Sequence, residues 1–209
     1  MVAPSDRSYA GRTARDRKLG RRQRLLEAGF DLLAENGREQ LSKRRVIAAA
    51  GLNDRYLNEN FASIGELVDA IHQWQMGKLT EHFASVSDAV RGDIRVRTRA
   101  NVRAALGFLT EDPRRIALLN IVDSQNDSVM AYRQRWAFVI AAAMVSEAFK
   151  GELPLARGQQ HLGLATLLIA NGAIDIVTLW ANGQLGSVTV SELEDTFVRL
   201  ILDSANVPS

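Results

Sequence analysis

Cysteine is absent from this 209-residue chain, and the sequence contains only four prolines and three histidines. The absence of cysteine excludes disulfides, thiolate zinc sites, iron–sulfur clusters and cysteine nucleophiles. The scarcity of proline, together with the lack of any useful stretch of strict apolar–polar alternation, argues against a β-sheet protein. The sequence therefore predicts an all-α protein.

Sequence motifs of enzymes are also missing. The chain has no P-loop, dinucleotide-binding fingerprint or nucleophile elbow. His72 and His82 are ten residues apart, which places them about 80° apart around a helix, so that one metal ion cannot easily bind both. Asp69 and His72 have an i, i+3 spacing, but a carboxylate-bridged metal bundle needs two Glu-x-x-His elements and two further glutamates. We expect no catalytic activity, metal or resident cofactor, and a helical enzyme is the weakest of the alternatives.

Charge is nearly balanced over the whole chain but is unevenly distributed. Lysine and arginine total 26 and the acidic residues 24, which gives a net charge of +2. Residues 1–24 hold eight basic and two acidic side chains, for a local charge of +6, and the remaining 185 residues carry −4. This asymmetry predicts that one end of the chain contacts a polyanion.

Residues 162–181 form the one segment that is apolar enough to raise the question of a membrane. Asn171 lies at its middle and Asp175 four residues later, and a central Asp costs about 2.5–3.5 kcal/mol on membrane-insertion scales. We therefore interpret the segment as a buried helix of a soluble protein. The N-terminus has positive charge but no apolar stretch behind it, unlike a secretory signal, so we expect a cytoplasmic protein without membrane contact.

Residues 42–61 have the pattern of a helix-turn-helix. Two short helices are expected on either side of a turn at Gly51, where a residue tolerant of positive φ is needed, and small alanines precede the turn. If Leu57 faces inward, Arg55 and Glu59 point most directly outward, with Tyr56 and Asn58 beside them. Arginine can bond guanine and asparagine can bond adenine, so these side chains are suited to reading base edges. A helical hairpin with a solvated charged face remains the alternative.

Residues 22–71 resemble the DNA-binding region of the TetR (tetracycline-repressor) family of bacterial transcriptional regulators. The resemblance rests on the spacing of matching residues over about a quarter of the chain, and the string AGLNDRY followed by Glu59 and Phe61 carries it most specifically. It implies about nine helices in two parts: a three-helix helix-turn-helix domain and a C-terminal helical bundle that binds a ligand and dimerises through its last two helices. Residues 1–16 would then be a basic, flexible arm, residues 17–65 the DNA-binding domain, and residues 66–209 the ligand-binding and dimerisation domain.

The chain also departs from the family pattern at two positions that usually contact phosphate. Asn58 replaces a Tyr after the recognition-helix Leu, and Ile64 replaces a Lys. The basic head, residues 1–24, can compensate for the loss of both contacts, because each phosphate that is neutralised adds salt-dependent affinity. It is either a solvated tail or an arm that follows the DNA backbone or enters the minor groove, and its position directly before a DNA-binding module favours the arm.

Two sets of residues are candidates for contact with double-stranded DNA. The candidates for base contacts are Arg44, Asp54, Arg55, Tyr56, Asn58 and Glu59. The candidates for phosphate contacts are Arg21, Arg22, Arg24, Ser42, Lys43, Arg45, Asn53, Asn60 and Ser63. Because a single helix-turn-helix reads few bases, we expect a homodimer on an inverted-repeat operator.

The C-terminal part has candidates for ligand binding and for dimerisation. A polar stripe that includes Asn171 and Asp175 crosses the apolar helix, so we expect a ligand pocket formed by Phe108, Trp136, Asn171 and Asp175, although a solvent-facing or interface stripe is the simpler interpretation. The dimer interface is predicted to contain Leu164, Leu168, Ile176, Leu179, Phe197, Leu200 and Ile201. Together these features predict a repressor that a small-molecule effector releases from its operator. A non-specific architectural DNA-binding protein without a ligand is the alternative.

Overall fold

The computed structural model describes residues 14–119, 128–148 and 157–204, and within these ranges the chain is entirely helical apart from turns. Its helices are α1 (Ala14–Asn36), α2 (Lys43–Ala50), α3 (Asp54–Asn60), α4 (Ile64–Ala89), α5 (Ile94–Glu111), α6 (Pro113–Leu119), α7 (Ser128–Ala148), α8 (Arg157–Ala181) and α9 (Val190–Ser204). The all-α prediction is confirmed. Helix α1 begins at Ala14, so the last three residues of the predicted arm are helical, and residues 1–13 lie outside the described ranges.

The ends of the short helices follow from local hydrogen bonding. Ser42 caps α2, Asn53 caps α3 and Ser63 caps α4, each by accepting a hydrogen bond from a backbone N–H in the first turn. Gly51 ends α2 in the left-handed conformation at φ +59°, which a side chain would strain. Glu66 adds a bond from the Ala62 N–H to its Oε2, at 2.5 Å. The turn predicted at Gly51 is therefore present.

A small core joins the first four helices. Its most deeply buried side chains are Leu25, Phe30, Leu33, Val46, Leu57, Phe61, Leu67 and Ile71. Gly29 sits where α1 meets α4, and a Cβ atom there would come within 2.9 Å of Ile71 Cδ1. The glycine thus permits a close approach of the two helices, which offsets its low helix propensity.

Helix α4 belongs to both parts of the molecule. It packs against α1 and also against α5 and α7. Helices α5, α7, α8 and α9 form a bundle with a second set of buried side chains, among them Val102, Phe108, Trp136 and Ile174. Because one continuous helix of 26 residues crosses the boundary, the two parts share a rigid element in place of a loose linker.

Helix α6 makes a second connection between the two parts. It packs against α1, and Arg114 on its first turn forms ion pairs with Asp31 of α1 and with Asp112. The Arg114 guanidinium also lies 4.6 Å from the centre of the Phe30 ring. Hydrogen bonds from Arg114 hold the pKa of the Asp112 carboxyl below its ordinary value.

The residues that cap the start of α9 differ from those that the sequence predicts. The sequence pattern suggests a reciprocal cap between Ser191 and Glu194, but the cap is formed by Thr189 and Glu192, whose side chains and backbone N–H groups bond each other. Glu194 is instead buried and accepts hydrogen bonds from Arg99 and Arg103 of α5, at 2.8–3.0 Å. Glu194 thus fastens α9 to α5.

Helix α8 is exposed along much of its length in the single chain. Residues Leu164–Ala181 are long and apolar enough to cross a membrane by length and composition, yet only 22% of that stretch is buried. Leu168 is 75% exposed and Leu164 is 65% exposed. One apolar face of α8 is therefore open in the single chain, and this face carries the dimer-interface candidates Leu164 and Leu168.

Candidate nucleic-acid interface

Helix α3 presents a polar face to solvent. Leu57 anchors it in the core, while the side chain of Arg55 is 81% exposed and Glu59 lies beside it. Arg55 Nε donates to Glu59 Oε1 at 2.6 Å, and this bond raises the pKa of the guanidinium. Asp54 and Asn58 are also exposed, whereas Tyr56 is half-buried. The base-contact candidates on α3 thus share one accessible side of a short, well-capped helix.

Three arginines of α1 hold this unit together. Arg24 Nη2 donates to the carbonyl oxygens of Ala50 at 2.6 Å and Gly51 at 3.2 Å, at the end of α2. Arg22 Nη1 donates to the carbonyl of Asn60, at the end of α3, at 3.1 Å. Carbonyl groups at helix C-termini lack intrahelical partners and carry partial negative charge, so arginines satisfy them well.

The same side chains also cover aromatic rings. The guanidinium carbon of Arg22 is 4.4 Å from the centre of the Phe61 ring, and that of Arg21 is 4.4 Å from the centre of the Tyr56 ring. The sequence marked these residues only as phosphate candidates. Their structural contacts were missed because the partners are backbone carbonyls and rings from 26 to 39 positions away in the chain.

The remaining basic candidates for DNA contact lie in the first turn of α2. Lys43 Nζ donates to Asn58 Oδ1 at 3.1 Å and lies 3.4 Å from the Ala62 carbonyl oxygen. Arg45 Nη1 donates to the Gln40 side chain at 2.8 Å, and Arg44 is exposed. The Lys43–Asn58 bond gives the departure at position 58 a local role, because it ties the start of α2 to α3.

The polar phosphate candidates serve their own helices in this structure. The side-chain oxygens of Ser42, Asn53 and Ser63 accept backbone hydrogen bonds as caps. Asn60 Nδ2 donates to the carbonyl of Tyr56 at 2.7 Å. These bonds do not prevent contact with DNA, since each hydroxyl or amide group keeps further donor or acceptor capacity.

The C-terminal part does not bring the four predicted pocket residues together. Phe108 and Trp136 are neighbours in the core, with ring centres 6.1 Å apart. Asn171 lines a separate groove of about 700 Å³ between α4, α7 and α8, and its Nδ2 donates to the Leu167 carbonyl at 2.9 Å. Asp175 is on the surface and pairs with Arg133. Of the two named residues of the polar stripe, Asp175 thus faces solvent and Asn171 lines the groove.

An entirely apolar cavity lies between α5, α7, α8 and α9. Phe197 and Ile201 line it and are 4% and 1% exposed. Assigning these two residues to a dimer interface was therefore wrong, because α9 turns them inward. Among the other interface candidates, Leu164, Leu168, Leu179 and Leu200 are exposed, and Ile176 is half-buried.

Comparison with solved structures places this arrangement among known folds. The chain is similar to a TetR-like transcriptional regulator from Rhodococcus sp. RHA1, with a TM-score of 0.60 and 20% identity over 89% of this chain and 96% of that one. The fold is that of the TetR-like regulators. No protein-family model matches the chain, and no curated protein sequence matches it.

Other TetR-like structures cover the chain to a similar extent. The transcriptional regulator FadR from Bacillus subtilis, in complex with stearoyl-CoA, gives a TM-score of 0.68 and 12% identity over 87% of this chain and 98% of that one. A TetR-family regulator from Haemophilus influenzae gives 0.59 and 18% identity over 88% and 96%. The similarity thus extends through both parts of the TetR-like fold, beyond the quarter of the chain in which the sequence resemblance lies.

Proposed function

We propose that this protein is a dimeric, sequence-specific DNA-binding transcriptional regulator that acts as a repressor and leaves its operator when a small molecule binds its C-terminal part. The observation that carries the proposal is the exposed polar face of α3, with Arg55 and Glu59 at its centre and Arg44 on the adjoining helix. In a helix-turn-helix, the second helix enters the major groove with such a face. The solved regulators with the same fold support this interpretation.

Recognition is divided between base and phosphate contacts. Arg55 suits guanine and Asn58 suits adenine, with Arg44, Asp54, Tyr56 and Glu59 completing the set that faces the bases. Lys43 and Arg45 lie at the start of α2, which crosses the DNA backbone in such motifs. Arg21, Arg22 and Arg24 contribute positive charge while they hold α2 and α3 in place. The arginine contacts within the domain thus keep the recognition helix ready for DNA.

Dimerisation supplies a second DNA-binding unit (α1–α3), which acts as a second reading head. The open apolar face of α8, which includes Leu164, Leu168 and Leu179, is suited to packing against the same face of a second copy, as in a two-fold symmetric interface. Two heads bind half-sites about 34–36 Å apart, which gives an inverted-repeat operator. The proposal places the protein in the cytoplasm, where it meets the chromosome.

Effector control requires a path from the C-terminal part to α3. Helix α4 runs from the bundle to the DNA-binding unit, and α6 contacts α1 through the Arg114–Asp31 ion pair. A ligand that moves α4 or α6 therefore changes the position of the unit that α1 holds. The FadR structure with stearoyl-CoA gives a precedent for a small molecule bound by a regulator of this fold.

Footprinting on genomic fragments, beginning with the region upstream of the protein's own gene, tests the proposal. We expect protection of a discrete inverted repeat. Uniform or absent protection would contradict sequence-specific binding, and uniform protection would favour an architectural DNA-binding protein.

The variant Arg55→Ala tests whether Arg55 reads a base pair of the operator. We expect it to weaken discrimination at one base pair by about 1–3 kcal/mol while leaving binding to random DNA nearly unchanged. Lys18→Ala is the matched control: it removes an exposed charge from α1 and should weaken binding to all sequences equally. Equal losses on operator and random DNA for both variants would refute the role of Arg55.

A further inference from the structure

The groove between α4, α7 and α8 has mostly apolar walls. Four side chains from the three helices form them: Met76 of α4, Phe138 and Val139 of α7, and Leu167 of α8. Its volume of about 700 Å³ lies within the usual range for small-molecule sites, about 300–1,000 Å³. The groove therefore has the size and the apolar surface that a small organic ligand needs.

Phe138 is an aromatic side chain without a full set of neighbours in the bundle. It is 65% exposed, whereas Trp136 and Ala137, which precede it on α7, are fully buried. An aromatic ring brings a large apolar contact area, and apolar surface left open at a concave site commonly marks a binding surface. Phe138 thus offers an unfilled apolar contact in the wall of the groove.

Arg135 is the one charged residue among those that line the groove. Its guanidinium carbon lies 5.6 Å from the centre of the Tyr132 ring. Within the part of the chain that the structure describes, no carboxylate forms an ion pair with Arg135. The groove therefore contains a positive charge that has no counter-ion.

The titratable groups around Arg135 leave this single charge in place. Asp175 of α8, one turn after the groove residue Asn171, is already paired with Arg133. His72 of α4 stacks on the Tyr132 ring with ring centres 3.7 Å apart. Burial, and then the nearby charge of Arg135, lower the pKa of His72 to about 3, so this ring is neutral at physiological pH. The site thus matches a ligand with one negative charge.

The polar side chains of the groove suit a carboxylate. A guanidinium presents paired N–H donors that match the two oxygens of a carboxylate. Gln134 also lines the groove, and Asn171 keeps one amide hydrogen besides the one that it donates to the Leu167 carbonyl. An uncharged amide would leave the arginine without a counter-charge, and a cation would be repelled by it.

We propose that the groove between α4, α7 and α8 binds a small organic acid, with its carboxylate on Arg135 and its apolar body against Phe138 and Val139. These three residues have i, i+3 and i+4 spacing and share one side of α7, so one ligand reaches the charge and the apolar wall together. The inference deepens the proposed function, since it names the chemical class of the effector, and it rests on that function only in treating the C-terminal part as the effector-binding part.

Three ligands with the same apolar body and different charges test the proposal. They are 4-phenylbutanoate, 4-phenylbutanamide and 4-phenylbutylammonium, and each is titrated into the ¹⁵N-labelled full-length protein while the backbone amide cross-peaks are followed. We expect the acid alone to give saturable shifts, concentrated in residues 134–139 of α7 and 167–171 of α8. Equal or tighter binding of the amide or the ammonium compound, or no saturable shift at millimolar acid, would overturn the proposal.

Substitutions at Arg135, an exposed position, separate the ion pair from the apolar contacts. Arg135→Gln should weaken binding of the acid at least tenfold, whereas Arg135→Lys, which keeps the charge but loses the paired donors, should retain part of the affinity. Arg91→Gln is the matched control: it removes an exposed arginine just beyond the end of α4, about 20 Å along that helix from Met76, and should leave binding unchanged. Equal affinities of the Arg135→Gln and Arg91→Gln variants for the acid would refute the role of Arg135.

Phe138→Ser tests whether the exposed ring serves a ligand or a second copy of the chain. We expect weaker binding of the acid and an unchanged sedimentation coefficient. Conversion of the proposed dimer to a monomer with unchanged affinity for the acid would instead assign Phe138 to an interface between copies and would count against the site. None of these measurements uses DNA, so a negative footprint would remove the proposed regulator while leaving the site intact, and the converse holds.

Discussion

The contact of Arg22 with the end of α3 leads to a prediction about local stability. Arg22→Met removes the hydrogen bond to the Asn60 carbonyl and the contact with the Phe61 ring, but keeps most of the aliphatic stem. A partly exposed hydrogen bond from a charged donor contributes about 1–1.5 kcal/mol and a cation–π contact about 0.5–1 kcal/mol. We therefore expect α3 to lose about 2 kcal/mol of stability against local opening.

Amide hydrogen exchange measures this loss. A change of about 2 kcal/mol in the free energy of opening corresponds to roughly 30-fold faster exchange of the α3 amides. Lys18→Met removes the same charge from an exposed position of α1, so exchange in α3 should be unaffected. Equal exchange rates in α3 for the two variants would refute the view that Arg22 supports this helix.

The salt dependence of DNA binding separates this structural role from contact with phosphate. If Arg22 mainly supports α3, Arg22→Met lowers affinity but leaves the slope of log affinity against log salt unchanged. Loss of a phosphate contact would reduce that slope by about one. A reduced slope combined with normal exchange would show that Arg22 acts on DNA directly and that the energy assigned to its internal contacts is too large.

Two further predictions concern the C-terminal bundle. Glu194→Gln should lower the free energy of unfolding by about 1–2 kcal/mol at pH 7, since the hydrogen bonds from Arg103 and Arg99 hold the pKa of Glu194 below its ordinary value of 4.5. Because a depressed carboxyl pKa stabilises the fold fully above the unfolded value, the difference in urea denaturation between parent and variant should shrink as the pH falls below 4.5 and vanish below the depressed pKa of the folded state, and a difference that is independent of pH would contradict the assignment. Leu168→Glu should convert the proposed dimer to a monomer in sedimentation experiments without lowering helix content, whereas a variant that remains dimeric would exclude the α8 face.

Local patterns predicted most of the helical framework. The turn at Gly51 depends on interactions within three or four residues, so the sequence was sufficient to locate it, and the caps at Ser42, Asn53 and Ser63 are equally local. The inward position of Leu57, which the helix-turn-helix pattern assumes, is present as well. These are properties of single helices, and the structure confirms them.

Contacts between distant segments were not predictable in the same way. Phe197 and Ile201 have the spacing of an interface stripe, but only the packing of α9 against α5 and α8 shows that they face inward. The pocket predicted from Phe108, Trp136, Asn171 and Asp175 depends on packing in the same way, because Asn171 and Asp175 lie away from the Phe108–Trp136 pair.

The length of α4 has a geometric consequence for how far a small movement within the C-terminal bundle is carried to the DNA-binding unit. Gln75 is eleven residues from the start of this helix, a distance of about 17 Å at 1.5 Å per residue. A tilt of about 10° around Gln75 therefore moves the start of α4 by about 3 Å, close to the 3.4 Å rise of one base pair. In a symmetric dimer the two reading heads would move in opposite senses, so such a tilt shifts them by nearly two base pairs relative to each other and takes both half-sites out of alignment.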